Sequence, residues 1–389
     1  MIIVEDKTKC SGCHACASIC PQACIKMSAD LEGFLYPKID VEKCNNCRLC
    51  EKVCPVINTG KVREQIDTKA YAAKNTDEYI RKDSSSGGIF TLLAEQILKQ
   101  NGIVFGAAFN QDFELEHIGV ETVEDLQKLR GSKYVQSKIG DTYRRAKIAL
   151  EEGRLVLFTG TPCQISGLKA FLRKDYQNLY TQDLICHGVP SPMIWEQYIC
   201  HLEEKYGGRI ERVRFRNKEK SWKKYAIDFY FSNGEHVIEP FMDNSYMKAF
   251  LRNLSLRPSC YSCAFKGIER VADITLADFW GIENTLPQMD DDKGTSLVLI
   301  HSDKGKALLR AIASRAQMQE VDTSLAICEN GSAVYSSRLS PKRKSFFARL
   351  KKTPFDKNVK KCITPSLYIR IKNLVKRILR KIKLTIGRK

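Results

Sequence analysis

Cysteine dominates the amino-terminal part of this 389-residue sequence, in a spacing suited to metal chemistry. Nine of the 16 cysteines fall within residues 10–54. Eight of them form two copies of one run. In each copy, two residues separate the first three cysteines from one another, and three residues separate the third from a fourth, which precedes proline. The first copy comprises Cys10, Cys13, Cys16 and Cys20, and the second comprises Cys44, Cys47, Cys50 and Cys54.

This run is typical of bacterial ferredoxins with two [4Fe–4S] clusters. Three thiolates of one loop bind one cluster, and the cysteine before proline binds the other. The predicted ligands are Cys10, Cys13, Cys16 and Cys54 for one cluster and Cys20, Cys44, Cys47 and Cys50 for the second. The alternative is a pair of zinc sites, but zinc usually takes two Cys-x-x-Cys pairs from separate loops. We interpret the remaining Cys24 as a small apolar packing residue.

Four later cysteines form another candidate group. Cys163 follows one apolar strand pattern, Cys186 ends the next, and Cys260 and Cys263 form a Cys-x-x-Cys pair. Two consecutive strands that each end in a cysteine would bring these thiols to one sheet edge, where four thiols suffice for a third cluster. From spacing alone, zinc and buried cysteines without a ligand role are equally good interpretations.

The net charge of +18 belongs almost entirely to the carboxyl-terminal segment. Residues 342–389 contain 18 Lys or Arg and one acid, Asp356, which accounts for all but one unit of the net charge. The body is therefore nearly neutral, and the sequence lacks the aromatic-interleaved basic groove of nucleic-acid binders, so no nucleic acid is predicted. We find no secretory leader and no membrane-spanning stretch. Dense cysteine in a cytoplasmic protein then indicates metal.

The tail itself has the pattern of a basic amphipathic helix. Over 367–382 the apolar residues fall on one helical face, and Lys and Arg cover much of the rest. Such a helix can lie on an anionic membrane surface, which here would be the inner face of the membrane. The alternatives are a helix packed on the body or a partner, and a disordered basic tail.

The elements that must position these cysteines divide the chain into four parts. We predict a two-cluster ferredoxin-type domain over 1–58, a linker over 59–68, a larger domain over 69–339 and the basic tail over 340–389. In the larger domain, short apolar runs alternate with amphipathic segments, as in α/β domains. The predicted strands are 103–109, 155–159, 179–186, 212–215, 226–231, 236–239, 274–277 and 297–301, and the predicted helices are 89–99, 143–152, 164–173 and 304–313.

Three segments of the larger domain have candidate roles beyond packing. The serine-rich run 84–88 could cradle a phosphate at a helix start, although plain helix capping explains it better. The segment 155–164 is a strand–loop–helix junction, where cofactors often bind, but it lacks the lysine of a P-loop. The segment 270–281 carries two acids around a strand, which a capped edge strand also explains. We assign no catalytic base; His187 is the only histidine in a motif.

Seven short motifs follow one another along the larger domain. They are Ser-Ser-Ser-Gly-Gly, Gly-Ser-Lys-Tyr-Val-Gln, Thr-Gly-Thr-Pro-Cys-Gln, Ile-Cys-His-Gly-Val-Pro-Ser-Pro, Phe-Arg-Asn-Lys, Cys-x-x-Cys and Ala-Asp-Phe-Trp-Gly. In this order they resemble the coenzyme F420 hydrogenase/dehydrogenase beta-subunit family, over roughly residues 69–330. A fused ferredoxin segment also occurs in that family.

The resemblance implies an enzyme that binds FAD and iron–sulfur clusters. Active members exchange a hydride between the flavin and a deazaflavin coenzyme, or use ferredoxin electrons to reduce an organic substrate. The resemblance also favours a third cluster at Cys163, Cys186, Cys260 and Cys263, while no segment indicates the deazaflavin itself. The residues that it implies near the flavin are Ser85, Ser86, Gly87, Gly88, Lys133, Thr159, Gly160, Thr161, Pro162 and Asp278.

The sequence therefore predicts an α+β protein: a small ferredoxin-like domain, a larger α/β flavin-binding domain and a basic amphipathic C-terminal helix. Its predicted function is that of a cytoplasmic oxidoreductase that passes electrons between clusters and a small-molecule two-electron substrate through FAD. The predicted partner is a redox protein or reduced ferredoxin. One alternative is a non-catalytic electron carrier that docks onto an enzyme. Family members also occur in surface-polysaccharide pathways, but the complete cysteine sets argue against a degenerate scaffold.

Overall fold

The computed structural model describes residues 1–58 and 67–364. The predicted linker falls almost entirely outside these ranges. The predicted amphipathic helix of the tail also lies outside them, so membrane docking stays a prediction from sequence. Within the described ranges, no helix combines the length and the apolar composition that a membrane crossing requires.

The amino-terminal domain is a hairpin with two small helices. Its elements are α1 (Ala15–Ile19), β1 (Ile25–Ala29), β2 (Leu35–Ile39) and α2 (Leu49–Lys52), with β1 and β2 antiparallel. The residues on either side of the second cysteine of each run have positive φ: Gly12 (68°) and His14 (64°), then Asn46 and Arg48 (both 56°). Left-handed backbone is uncommon outside glycine. Its recurrence at matching positions shows that the two cysteine loops share one geometry.

The larger domain alternates strands with helices. Its strands are β3 (Lys69–Asn75), β4 (Ile103–Phe109), β5 (Leu115–Val120), β6 (Val156–Thr159), β7 (Leu179–Leu184), β8 (Ile210–Asn217), β9 (Ala226–Phe231), β10 (His236–Pro240), β11 (Ile274–Asp278), β12 (Ser296–Ile300) and β13 (Ala316–Val321). Its helices are α3 (Glu78–Asp83), α4 (Ile89–Leu98), α5 (Thr142–Glu151), α6 (Pro162–Leu172), α7 (Pro192–Tyr206), α8 (Ser245–Leu251), α9 (Ile282–Thr285), α10 (Asp303–Ala311), α11 (Thr323–Ile327), α12 (Arg343–Arg349) and α13 (Phe355–Ile363). A small amino-terminal domain followed by a larger mixed α/β domain is confirmed.

Eight strands form one sheet, in the order β13-β3-β12-β11-β7-β6-β4-β5. Strands β4, β6, β7 and β11 are parallel neighbours. Strand β3 runs in the same direction, because β12 pairs antiparallel with both β11 and β3. The carboxyl ends of these strands therefore meet at one border of the sheet, which we call the strand edge. In open α/β sheets, ligands bind outside the carboxyl ends of strands.

Helices cover both faces of this sheet, and strand side chains alternate between them. Val104 and Leu157 pack with α4 and α10 on one face. Phe105 and Phe158 pack with α5 and α6 on the other. Because successive strand residues point to opposite faces, both sides of β4 and β6 are buried. Burial on both faces explains why the sequence shows these strands as continuous apolar runs.

Strands β8, β9 and β10 form a separate antiparallel sheet. The sequence predicted these three strands but did not predict that they form a sheet of their own. Their buried side chains pack with α7 and α8, which places Phe229 edge-on against Tyr198. Among the described elements of the larger domain, several had no prediction from sequence: strands β3, β5 and β13, and helices α3, α7, α8, α9, α11, α12 and α13.

The segment predicted as a basic tail is folded in its described part. Helices α12 and α13 bury Phe346, Phe355 and Val359 in the core that α7 and α8 share with the small sheet. Asn358 is also fully buried and donates to the carbonyl of Phe346 (2.9 Å). Residues 343–363 are therefore part of the globular body.

Replacing Phe346 by alanine is expected to lower the free energy of unfolding by about 3–5 kcal/mol, because it empties a closed apolar position. Phe347 is its neighbour but only partly buried, so Phe347→Ala is the matched control and should cost clearly less. Calorimetric unfolding of the full chain measures both. Equal losses for the two variants would contradict the packing of α12.

Candidate iron–sulfur and cofactor site

One cavity in the amino-terminal domain is surrounded by four cysteines from both copies of the motif. We call Cys10, Cys13, Cys16 and Cys54 the proximal quartet. Together with apolar side chains such as Ile2, they line a space of about 330 Å³ including adjoining solvent. The fold therefore brings the last cysteine of the second run to the first loop, the grouping that the ferredoxin spacing predicts.

A second cavity is surrounded by the other half of the motif. We call Cys20, Cys44, Cys47 and Cys50 the distal quartet, and these four line a space of about 320 Å³ including adjoining solvent. Cys24 also reaches this cavity, with its Sγ 3.3 Å from that of Cys20. Cys24, to which the motif gives no ligand role, is thus beside the predicted ligand Cys20.

A third cavity, of about 920 Å³ including adjoining solvent, lies between the two domains. We call Cys163, Cys186, Cys260 and Cys263 the strand-edge quartet, and all four line it. Thr8 and Lys9 of the amino-terminal domain close its other side. Cys163 comes from the first turn of α6 and Cys186 from the loop after β7, so the sheet topology positions both thiols.

The three cavities follow one another through the molecule. Ser11 and Val56 line both the proximal and the strand-edge cavity. Cys16 of the proximal quartet and Cys50 of the distal quartet pack in one apolar cluster. Adjacent sites of this kind suit electron transfer, because each site is close to the next.

The thiols of each quartet surround a space and do not converge on a point. Over residues 1–58 and 67–364, no three side chains of His, Cys, Asp or Glu are grouped closely enough to hold a single metal ion. A tetrahedral zinc needs each sulfur at about 2.3 Å from one ion. A [4Fe–4S] cluster places iron and sulfide between the thiolates, and this wider arrangement is what the cavities offer.

Burial favours the protonated form of five of these thiols. It raises the pKa of Cys13 and of Cys16 to about 12, and it also raises the pKa of Cys163, Cys186 and Cys260. Desolvation disfavours the thiolate, which is the form that binds metal. These five thiols therefore ionise more readily when a positively charged centre replaces their protons.

The two domains are joined by polar contacts around the proximal quartet. Gln136 donates to the carbonyl of Ser11 (3.1 Å), and Arg144 donates to that of Ser18 (2.9 Å). Arg343 forms a bidentate ion pair with Glu32, in which Nη1 donates to Oε1 (2.7 Å) and Nη2 donates to Oε2 (2.5 Å). The amino-terminal domain is thereby held against the strand edge.

The serine-rich loop between α3 and α4 lies at the strand edge. The expectation that its serines cap α4 is wrong, because the N-cap is Gly88, with φ 81° and no side-chain cap. Instead, Ser85 accepts from the backbone N–H of Ser132 (2.6 Å), and Ser86 donates to the carbonyl of Thr295 (3.0 Å). These serines fix the loop to its neighbours.

A buried lysine holds the same loop from inside. The ammonium of Lys218 donates to the carbonyls of Arg81, Ser86 and Lys293, at 2.7–2.8 Å. Burial lowers the pKa of Lys218 to about 7. At Gly87 a Cβ would lie only 2.4 Å from the carbonyl oxygen of Ala73, so only glycine lets the loop approach β3 this closely.

The other residues that the resemblance implies near the flavin fall into two groups. Thr159, Gly160, Thr161 and Pro162 lead from β6 into α6, and Asp278 ends β11, so these five are at the strand edge. Lys133 is on the loop before α5, and its ammonium donates to backbone carbonyls of residues 129–131. Burial lowers the pKa of Lys133 to about 7.

Arg216 is a strand-edge residue that our site prediction missed. Its Nη1 donates to Asp278 (2.8 Å) and to the hydroxyl of Tyr134 (3.3 Å), and its guanidinium stacks 4.0 Å from the ring centroid of Tyr225. Its Nε and Nη2 are buried and have no hydrogen-bond partner within the described part of the chain. The Phe-Arg-Asn-Lys motif was the available signal.

His117 of β5 is a second residue without a prediction. Its Nε2 is 3.0 Å from the carbonyl oxygen of Thr159, and its ring stacks on Phe158. Its Nδ1 is buried without a partner among the described residues. Burial lowers the pKa of His117 to about 4, so the ring is neutral near pH 7.

Comparison with known families agrees with this arrangement. Residues 70–142 and 153–324 match the N-terminal and C-terminal models of the coenzyme F420 hydrogenase/dehydrogenase beta subunit. The chain belongs to this family. Residues 9–58 match a 4Fe-4S dicluster domain, which supports iron–sulfur clusters in this part of the chain. The family to which the chain belongs comprises hydrogenase and dehydrogenase subunits, so the chain is related to oxidoreductases.

One solved structure is similar to this family member. It is a chain of the F420-reducing NiFe hydrogenase complex from Methanosarcina barkeri, in a xenon-derivatised crystal, with 19% identity and a TM-score of 0.43. The similarity covers 77% of this chain and 91% of that chain. Comparison with curated protein sequences finds no match.

Replacing Cys50 by alanine is expected to remove about four iron atoms per chain, because Cys50 belongs to the distal quartet. Cys24→Ala is the matched control: this thiol lines the same cavity, but the motif gives it no ligand role. Iron determination on anaerobically purified protein measures both. Loss of iron in the Cys24 variant, or full iron in the Cys50 variant, would contradict the assignment of cluster ligands to the distal quartet.

Proposed function

We propose that this chain is an iron–sulfur flavoprotein oxidoreductase that moves electrons between a redox partner protein and a small two-electron substrate. The observation that carries the proposal is the succession of three cysteine-lined cavities, of which the last opens at the strand edge. Each cluster carries a single electron at a time. A series of clusters therefore needs a redox partner at one end and a group that can handle two electrons at the other.

Electrons enter or leave at the distal quartet. Cys47 and the neighbouring Asn45, Asn46 and Arg48 are exposed, whereas Cys13 and Cys16 of the proximal quartet are buried. A partner such as reduced ferredoxin can therefore approach the distal quartet most closely. From there, the proximal and strand-edge quartets would hold the next two clusters, and each cluster would pass one electron to its neighbour.

FAD at the strand edge would complete the path. The residues that would hold it are Ser85, Ser86, Gly87, Gly88, Lys133, Thr159, Gly160, Thr161, Pro162 and Asp278. Bound FAD supplies the change from one-electron to two-electron chemistry. The fit rests on Arg216, because a buried guanidinium with two free N–H groups suits an electron-rich or anionic group of a ligand.

The chain's own groups would position such a ligand and keep water away. Arg216 is fixed by Asp278 and by the ring of Tyr225, so its free N–H groups have a defined direction. Neutral His117 offers a further unsatisfied nitrogen near Thr159. Trp222 and Trp280 stack at 5.0 Å beside Asp278 and close this side with apolar surface.

A second candidate function is an electron carrier without FAD that docks onto a separate enzyme. What favours it is that Ser85, Ser86 and Lys133 already have hydrogen-bond partners within the protein. Flavin content separates the two functions, because a carrier needs none. A role in a surface-polysaccharide pathway stays a prediction from sequence.

The test replaces Arg216 by lysine, which keeps a positive charge near Asp278 but removes Nε and Nη2. We expect the flavin-to-protein ratio of anaerobically purified protein to fall about tenfold, the loss of roughly one charge-assisted hydrogen bond, with unchanged iron. Arg212→Lys, an exposed position of the same strand, is the matched control and should keep its flavin.

Flavin-free wild-type protein with full iron would overturn the flavoprotein proposal in favour of the carrier. Equal flavin in the Arg216 and Arg212 variants would show instead that the ligand does not use Arg216.

A further inference from the structure

A fully buried arginine joins the two domains beside the proximal quartet. Arg257 comes three residues before Cys260, and its backbone N–H donates to the carbonyl of Val189 (2.9 Å). Its side chain crosses into the amino-terminal domain, where Nε donates to the carbonyl of Cys10 (2.8 Å) and Nη2 to that of Leu35 (2.9 Å). Arg257 belongs to the larger domain, and it therefore contacts a predicted cluster ligand, Cys10, of the amino-terminal domain.

The guanidinium also contacts the sulfur itself. Nη2 lies 3.7 Å from the Sγ of Cys10 in hydrogen-bonding geometry, and Nη1 donates to the side chain of Gln136 (3.0 Å). The ring of Tyr36 stacks on the guanidinium at 4.2 Å. At Gly12, with φ 68°, a Cβ would approach Nη1 to 2.8 Å, so the cysteine loop leaves room for this side chain.

No carboxylate in the described part of the chain neutralises this charge. Over the residues that the structure describes, Arg257 forms no ion pair, and its acceptors are carbonyls, an amide and a thiol. A buried cation without an anionic partner is strongly unfavourable. Other buried arginines here are paired: Arg81 with Asp291, and Arg270 with Asp183. The surroundings of Arg257 thus require a negative charge that the side chains do not supply.

We propose that Arg257 is the counter-ion of the cluster held by the proximal quartet and raises its reduction potential above that of the distal cluster. This inference rests on the proposed clusters. An oxidised [4Fe–4S] cluster with four thiolates has a net charge of about −2, and one added electron makes it about −3 without a proton. A buried cation that also donates an N–H···S hydrogen bond stabilises the more negative state.

Among the described residues that line the distal cavity, no buried cationic side chain corresponds to Arg257. Arg48 lines its cavity but is exposed, so solvent screens its charge. Inside the protein the effective dielectric is lower and a charge acts more strongly. The potentials therefore rise inward, and an electron that enters at the distal cluster moves downhill to the proximal one. Arg257 is a positioning and tuning residue, since it acts through Cys10 and the cluster.

The test is a redox titration of the full-length protein, followed by the electron paramagnetic resonance signals of its reduced clusters. In Arg257→Met we expect one cluster to titrate at lower potential, with at least a tenfold fall in its reduced-to-oxidised ratio at fixed potential, which corresponds to 59 mV. The other signals and the iron content should not change. Arg257→Lys keeps the charge but changes the hydrogen bond, so a smaller shift in the same direction is expected.

Arg48→Met is the matched control. It should leave unchanged the reduction potential of the cluster that responds to Arg257→Met. Unchanged potentials in an iron-replete Arg257→Met protein would overturn the inference while leaving the clusters intact. If that variant does not accumulate, Arg257→Lys decides by the same criterion. Wild-type protein without clusters would instead overturn the proposed function.

Discussion

The structure depends on one constraint: buried thiols such as Cys13, Cys16 and Cys163 must lose their protons before they can bind a metal. In the low-dielectric interior this happens only if positive charge takes the protons' place. Cys54 and Cys20 each cross to the loop of the other run, so both halves of the amino-terminal domain surround each cavity. The same requirement recurs at the strand edge, where Cys163 and Cys186 meet through the sheet topology.

Local spacing made part of this predictable. Strands β4 and β9 have the predicted bounds because short apolar or alternating runs specify them. The cysteine runs could be recognised from their repeated spacing alone. By contrast, β13 is an outermost strand of the eight-stranded sheet and three of its six residues are exposed, so no apolar run marked it. The separate sheet of β8–β10 follows from pairing partners, which local pattern does not encode.

The residues that sequence reasoning missed act over long distances in the chain. Arg257 contacts Cys10 across 247 positions, and Arg216 meets Asp278 across 62. The Phe-Arg-Asn-Lys motif includes Arg216, but local sequence does not reveal the partners of either arginine. Similarly, the serines before α4 looked like caps, but the glycine loop places them against Ser132 and Thr295. Charge and packing assembled by the fold therefore define the site as much as the cysteines do.

Metal analysis of the wild-type chain tests the central claim most directly. Protein purified without oxygen should contain about twelve iron and twelve sulfide per chain, four of each for every quartet, and no stoichiometric zinc. About eight of each would leave the strand-edge quartet without a cluster. A colourless protein, or one with zinc in place of iron, would contradict the account as a whole.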